Sequence, residues 1–112
     1  MLKMIIRLDE NKIHAEKKYQ LEGIYETLNH TFVKLGFPRI EDGTGDLVYR
    51  DCGRASDFSL FGKVVNTLKK QSWFMENVSV WRFCDSDDSD NPEEFNEEDL
   101  LMHYRNKMAM RA

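Results

Sequence analysis

Hydrophobic and polar residues alternate through Lys3–Leu8 and then recur at helical spacing through Tyr19–Leu35. The alternation predicts a strand whose even-numbered side chains share one face, because successive strand side chains point to opposite sides. In the second stretch the apolar residues follow a 3.6-residue period, which predicts a long amphipathic helix. Gly36 suits a left-handed C-cap and Pro38 cannot continue a helix, so we expect the helix to end there.

The middle of the chain carries the same two signals. Phe37–Ile40 and Leu47–Arg50 flank the turn-rich Gly43–Asp46, which predicts a hairpin of two short strands. Apolar residues then recur at i, i+3, i+4 and i+7, which predicts a second helix that Ser56 or Asp57 caps; they are Phe61, Val64, Val65 and Leu68.

A strand is predicted for Val78–Phe83, since β-branched and aromatic residues dominate there. Trp73–Met75 precedes it, and we expect these three large side chains to form a turn that fills the end of the core. A third helix is predicted from Asn91–Pro92, with Asn96 as an alternative cap. Its apolar face comprises Leu100, Leu101, Tyr104 and Met108.

This order of elements, β-α-β-β-α-β followed by a helix, predicts an α+β fold of the ferredoxin-like type: an antiparallel sheet with two helices on one face. We expect a domain at 1–90 and a C-terminal helical extension at 91–112. Ile5 and part of the last strand place apolar groups on the second face of the sheet. Our hypothesis is that this face is covered by a second copy of the chain, in a homodimer.

Composition limits the classes of protein to consider. At 112 residues the chain suits one core. No apolar run of about 20 residues suggests a membrane span, and the short apolar start does not resemble a secretory signal, so we expect a cytoplasmic protein. Cys52 and Cys84 are expected to be free thiols, and no zinc-ligand spacing occurs. The three histidines, His14, His30 and His103, are isolated in sequence.

The charge is divided unevenly along the chain. Asp85–Asp99 contains nine acidic residues and no Lys or Arg, whereas the other 97 residues contain 16 basic and 11 acidic residues, a net charge of +5. One interpretation is a solvated linker before a helix N-terminus that favours carboxylates. The alternative is that the acidic segment repels nucleic acid or covers a basic surface.

Several short motifs resemble the virulence-associated protein D (VapD) family, ferredoxin-like proteins related to the CRISPR adaptation nuclease subunit. The motifs are Leu35-Gly36-Phe37, Thr44-Gly45, Val48-Tyr49, Leu68 before Trp73-Phe74, and Val78, Arg82 and Asp85. The resemblance covers about Met4 to Asp90. It implies an endoribonuclease of toxin type, acting as a homodimer on RNA, with an antitoxin or another protein as a further partner.

One departure from the family concerns the end of the first strand. The family has an aromatic-Asp-Leu triplet there, whereas this chain has Ile6-Arg7-Leu8 and places Asp9 two residues further on. If the strand extends that far, Asp9 shares a face with Arg7 and replaces the missing acid. Paired in a dimer, two Asp9 carboxylates would bind Mg²⁺ or activate a 2′-hydroxyl, and Arg7 would contact phosphate. Alternatively, Asp9 only caps or turns the strand end.

The remaining candidates are RNA contacts with structural alternatives. Tyr49 would stack a base or pack in the core. Arg82 would face a phosphate or pair with an acid such as Asp9 or Asp46. A basic patch for the RNA backbone would include Arg50, Lys69 and Lys70, with Arg54 and Lys63 beside them, although a solvated surface has the same composition. A non-catalytic dimeric module that binds RNA or protein, of mobile-element type, remains the alternative function.

Overall fold

The computed structural model describes residues 2–40, 43–85 and 96–111, with the backbone alone at 96 and 106–111. Along the described chain the elements follow the order β-α-α-β-β-α-α-β-β-α. The strands are β1 (Leu2–Leu8), β2 (Arg39–Ile40), β3 (Leu47–Arg50), β4 (Val78–Asp85) and β5 (Asn96–Asp99). The helices are α1 (Glu10–Glu16), α2 (Leu21–Val33), α3 (Asp57–Leu68), α4 (Ser72–Met75) and α5 (Leu100–Arg111).

The five strands form one antiparallel sheet in the order β2-β3-β1-β4-β5. β1 is central, because Ile6 lies opposite Leu47 of β3 on one side and Trp81 of β4 on the other. The pairing register shifts between Arg7 and Leu8, because β4 has one extra residue there, Ser79. The fold is therefore α+β with a five-stranded antiparallel sheet.

One face of the sheet carries the core. Met4, Ile6 and Leu8 of β1 are buried on this face, as the alternation predicted. α2 packs on the β3 side, where the Phe32 ring stacks on the Tyr49 ring with centroids 4.0 Å apart. α3 packs on the β4 side through buried side chains that include Phe61, Val64 and Leu68. These are three of the four residues of the predicted stripe, and the fourth, Val65, is partly buried against the same core.

The second face of the sheet is a mixture of apolar and basic groups. Ile5 lies opposite Val48 and Arg82, and Lys3 lies opposite Arg50. Val48 is buried, Ile5 is half-buried, and Arg50 and Arg82 are exposed. α2 and α3 pack on the first face, whereas Leu101 and Met102 of α5 line a pocket with Val80 and Arg82 of the second face.

Two helices were not predicted from the periodicity. α1 follows β1 directly and contributes only Ile13 to the core, so its seven residues give little apolar repeat. Trp73–Met75, predicted as a turn, lies in the one-turn helix α4. The expected packing is confirmed, since Phe74 is fully buried and its ring lies edge-on to Trp81 at 5.0 Å.

The prediction for the C-terminal part was wrong at its start. Asn96, expected as a helix cap, begins strand β5, and the helix starts only at Leu100. The Asp99 carboxylate accepts a hydrogen bond from the Met102 backbone N–H at 3.0 Å, as an N-cap does. Asn91–Pro92 and the Met108 side chain lie outside the described residues. The region after 96 thus adds an edge strand to the sheet and two buried side chains, Leu100 and Leu101, to the core.

A substitution at Gly36 tests whether the conformation of this residue is needed for the chain reversal after α2. Its φ is +87°, and a Cβ added at this position would lie 3.0 Å from the Arg54 guanidinium nitrogen Nη1. We expect Gly36→Ala to lower the free energy of unfolding by about 1–2 kcal/mol, since an L side chain is disfavoured in this conformation. Gly62→Ala is the matched control, because Gly62 lies inside α3 with nothing within 4 Å of the added Cβ. It should stabilise by up to about 1 kcal/mol.

Urea denaturation of both variants measures this pair of effects. If Gly36→Ala were as stable as the wild type, the left-handed conformation of Gly36 would not be required for the turn.

No helix within the described ranges is both long and apolar enough to cross a membrane.

Candidate functional site

An open groove lies where β1 ends, and we call it the strand-end groove. Its volume is about 480 Å³, and β1, α1, α2, the loop before β3 and the start of β4 all contribute to it. Backbone geometry places it there, because the Asp9 N–H bonds to the Asn77 carbonyl at 2.7 Å and turns the chain from β1 into α1. The polar side chains that line it include Arg7, Asp9, Glu10, Tyr25, Thr44 and Asp46.

Arg7 and Asp46 form a two-pronged ion pair in this groove. Arg7 Nε donates to Asp46 Oδ1 at 2.7 Å, and Nη2 donates to Oδ2 at 2.9 Å. Planar bidentate pairs of this kind fix the orientation of the guanidinium. The hydrogen bonds to Asp46 and its negative charge raise the pKa of Arg7, so Arg7 is a permanent cation. The Arg7 side chain remains 54% exposed, whereas that of Asp46 is 9% exposed, so Arg7 is the partner open to solvent.

Asp9 caps helix α1. Its Oδ1 accepts a hydrogen bond from the Lys12 backbone N–H at 3.1 Å. The strand ends at Leu8, so Asp9 is not a strand residue and does not share the strand face of Arg7. It lines the same groove nonetheless. Oδ2 of Asp9 makes no hydrogen bond to another described residue, so the cap holds one oxygen and leaves the other available.

Glu10 and Tyr25 form a second polar pair in the groove. The Tyr25 hydroxyl donates to Glu10 Oε1 at 2.5 Å. Burial raises the pKa of Tyr25 to about 12, and the hydrogen bond to Glu10 and its charge act in the same direction. The phenol therefore stays protonated at neutral pH and holds the carboxylate in one orientation.

The structure brings together two of the predicted site residues, Arg7 and Asp9, and places the others elsewhere. Tyr49 is fully buried, stacks on Phe32, and donates its hydroxyl to Asn29 Oδ1 at 3.1 Å. The Tyr49 ring therefore packs in the core, which is the second of the two roles predicted for this residue. Arg82 pairs with neither of the two acids proposed for it, Asp9 and Asp46, and Asp46 pairs with Arg7 instead. The Arg82 side chain is exposed on the second face.

The predicted basic patch is divided between two sides of the sheet. Arg50 lies on the second face, with Nε 3.9 Å from Asp51 Oδ1. Lys69 and Lys70 follow α3 on the helix side, where Lys69 Nζ lies 5.4 Å from the centre of the Tyr104 ring. None of the three lines the strand-end groove. Arg54 is held by Asp57, with Nε 2.7 Å from Oδ1.

Sequence reasoning missed Glu10 and Tyr25 as site residues and named Asp46 only as a partner for Arg82. Asp9 before Glu10-Asn11-Lys12 is a helix N-cap pattern, and it would have indicated that residue 10 begins a helix beside residue 9. No comparable sequence signal points to Tyr25, which also belongs to the periodic pattern of α2.

The cysteines and the search for a metal-binding cluster concern the remaining reactive side chains of the described residues. Cys52 and Cys84 are free thiols, as predicted, and burial raises the pKa of Cys84 to about 11. Among the side chains that the structure describes, no three His, Cys, Asp or Glu converge as a metal site. Comparison of the chain with protein-family models, with curated proteins and with solved structures found no match.

Proposed function

We propose that the chain is an endoribonuclease-like protein that cleaves RNA phosphodiester bonds in the strand-end groove. The observation that carries this proposal is the position of Asp9, whose Oδ1 is held by the helix cap while Oδ2 is available in the groove that Arg7 also lines. A fixed carboxylate and an exposed guanidinium that line one groove provide a base for the 2′-hydroxyl and a cation for the phosphate.

In this mechanism Asp9 takes the proton of the 2′-hydroxyl as the 2′-oxygen attacks phosphorus. The bond from phosphorus to the 5′-oxygen breaks, and the leaving oxygen takes a proton from solvent, which yields a 2′,3′-cyclic phosphate and a 5′-hydroxyl. Arg7 keeps its two hydrogen bonds to Asp46 and contacts the phosphate through Nη1, which its half-exposed position allows. If Mg²⁺ takes part, Asp9 would hold it, since Mg²⁺ in such sites binds one or two carboxylates and substrate phosphate.

The proposal includes a ferredoxin-like core and a homodimer. The ferredoxin-like assignment is supported by the order β2-β3-β1-β4 with antiparallel neighbours, to which β5 is added at the edge. Support for the homodimer comes from the second face, where Ile5 and Val80 are half-buried apolar positions between basic ones. A monomeric mass by light scattering at micromolar concentration would exclude the dimer.

The test of catalysis uses two substitutions at one position. Asn is as good an N-cap as Asp, so Asp9→Asn keeps the hydrogen bond to Lys12 and removes the negative charge, whereas Asp9→Ala removes both. We expect Asp9→Asn to lower the cleavage rate of a structured and an unstructured RNA by at least about 100-fold, the usual contribution of a general base. The cleavage assay, run with Mg²⁺ and with EDTA, also reports whether the metal is required.

Glu26→Gln is the control, because Glu26 is an exposed residue of α2 outside the groove and its replacement removes the same charge. It should cleave like the wild type. Equal cleavage by wild type and Asp9→Asn would show that Asp9 is not the base. Only the Ala variant should also lose stability, by about 1 kcal/mol, as expected for a lost cap.

A second function is favoured by the ion pair itself. Asp46 occupies two donors of the Arg7 guanidinium, which leaves no uncommitted cation for phosphate among the described residues that line the groove. The alternative is a catalytically inactive dimeric module that binds RNA or a protein partner such as an antitoxin. RNA binding without cleavage by the wild type, at any metal concentration, would support this alternative.

A further inference from the structure

The charge of the strand-end groove differs from that of the surface around it. Three carboxylates, Asp9, Glu10 and Asp46, and one guanidinium, Arg7, line the groove, which gives these side chains a net charge of −2. These charges repel phosphate from the interior of the groove, so the scissile phosphate of the proposed function lies at the groove mouth, where Arg7 is exposed. The neighbouring second face of the sheet carries Arg50 and Arg82, both exposed.

The carboxylate oxygens that accept no hydrogen bond from the described residues limit which ligand groups can bind in the groove. Both oxygens of Asp46 accept from Arg7, and one oxygen of Asp9 accepts from Lys12. Glu10 accepts from Tyr25 through Oε1 and makes no second hydrogen bond to a described residue, so its Oε2 is an oriented acceptor. An acceptor held beside an aromatic ring in a groove of about 480 Å³ suits a flat group that presents an N–H donor.

We infer that the groove takes a nucleobase with an exocyclic amino group, which donates to Glu10, while the RNA backbone runs at the groove mouth and over the basic second face. Carboxylates accept such amino groups in base recognition, as they do from N4 of cytosine. Uracil presents carbonyl oxygens in place of the amino group, and these would be repelled by Glu10. This inference rests on the proposed function and adds to it the class of base that is recognised and Tyr25 as the positioning residue.

The experiment compares two oligonucleotides whose bases differ in whether they carry the exocyclic amino group or a carbonyl oxygen. Binding of 2′-O-methyl oligo(C) and oligo(U), which lack the attacking 2′-hydroxyl, is measured by fluorescence anisotropy at the same length and salt concentration. We expect the wild type to bind oligo(C) about tenfold more tightly, as one base hydrogen bond made or lost would produce. Salt must be matched because the backbone contribution varies with it.

Two variants assign the preference to the Glu10–Tyr25 pair. Glu10→Gln should reduce the difference between oligo(C) and oligo(U) at least threefold, and Glu26→Gln should leave it unchanged. Tyr25→Phe keeps the ring but removes the hydroxyl that orients Glu10, so it should reduce the preference without abolishing binding. Far-UV circular dichroism of the same samples checks that each variant is folded.

The outcomes separate this inference from the proposed function. Equal binding of both oligonucleotides by the wild type, or a preference that survives in Glu10→Gln, would overturn the inference. Cleavage of both RNA sequences at equal rates would do so too, while leaving the nuclease proposal intact. If neither oligonucleotide binds and no RNA is cleaved, both proposals fail together.

Discussion

Replacement of Trp81 by alanine is expected to lower the free energy of unfolding by about 3–5 kcal/mol. Trp81 is fully buried in β4, opposite Ile6 of the central strand. Its ring lies edge-on to Phe74 at 5.0 Å and stacks on Tyr104 at 5.7 Å, and its Nε1 donates to the Met4 sulfur at 3.3 Å. The substitution therefore removes contacts with β1, α4 and α5 at once and leaves a large cavity.

Urea denaturation followed by circular dichroism measures this loss. A domain of this size is stable by only about 5–15 kcal/mol, so the variant would lose about a fifth or more of its stability. Phe58→Ala is the control for removal of an aromatic ring, since Phe58 is 63% exposed and should cost less than about 1 kcal/mol. Equal losses in the two variants would show that Trp81 does not hold these elements together.

Trp81 also shows which parts of the fold the sequence could predict. Elements that bury a continuous apolar set give a clear signal: β1, α2 and α3 were predicted from their period, and β4 from its β-branched and aromatic residues. The α2 helix begins and ends two residues inside the predicted Tyr19–Leu35, while Gly36 adopts the expected left-handed conformation. Local rules are sufficient here because the same side chains decide both the secondary structure and the packing.

Elements that bury little could not be predicted in this way. β5 contains Asn96-Glu97-Glu98-Asp99, residues with low strand propensity, and it forms because β4 offers an unpaired edge. α1 buries only Ile13 and depends on the Asp9 cap and on Lys12, whose Nζ donates to the Glu76 carbonyl. In both cases a tertiary contact supplies what the sequence pattern lacks.

The strand-end groove likewise contains residues that the sequence could predict and residue pairs that it could not. Arg7 and Asp9 were predicted as site residues from the end of the first strand alone, which is a local observation. The Arg7–Asp46 pair joins residues 39 positions apart, and the Tyr25–Glu10 pair depends on the angle between α1 and α2. Such pairings follow from the sheet order and helix placement, which local patterns do not encode.

A second large effect is expected at Asp57, which begins α3. This residue is 1% exposed, and its carboxylate accepts from the Cys52 and Arg54 backbone N–H groups at 2.8 and 3.1 Å and from Arg54 Nε at 2.7 Å. Arg54 in turn donates through Nη2 to the Leu35 carbonyl at 2.6 Å. Asp57 thus connects the start of α3 to the reversal after α2.

The pKa of Asp57 sets the pH dependence. Burial raises this pKa, but the hydrogen bonds from Cys52 and Arg54 and the charge of Arg54 outweigh burial, and the pKa falls below its ordinary value of 3.8. A lowered pKa in the folded state means that the unfolded chain binds the proton first as the pH falls. The stabilisation by Asp57 is therefore complete above about pH 4 and is lost progressively as the pH falls through the folded-state pKa.

We expect Asp57→Asn to lower the free energy of unfolding at pH 7 by about 1.5–3 kcal/mol, the range for hydrogen bonds to a charged group. The difference between wild type and variant should shrink as the pH is lowered from about 4, because the wild-type carboxylate is then neutralised as well. Urea titrations of both proteins from pH 7 downward measure this difference directly. Glu26→Gln, at an exposed position, controls for the loss of one negative charge and should show no such convergence. A constant difference between wild type and Asp57→Asn across this range would mean that shape, and not charge, is what Asp57 contributes.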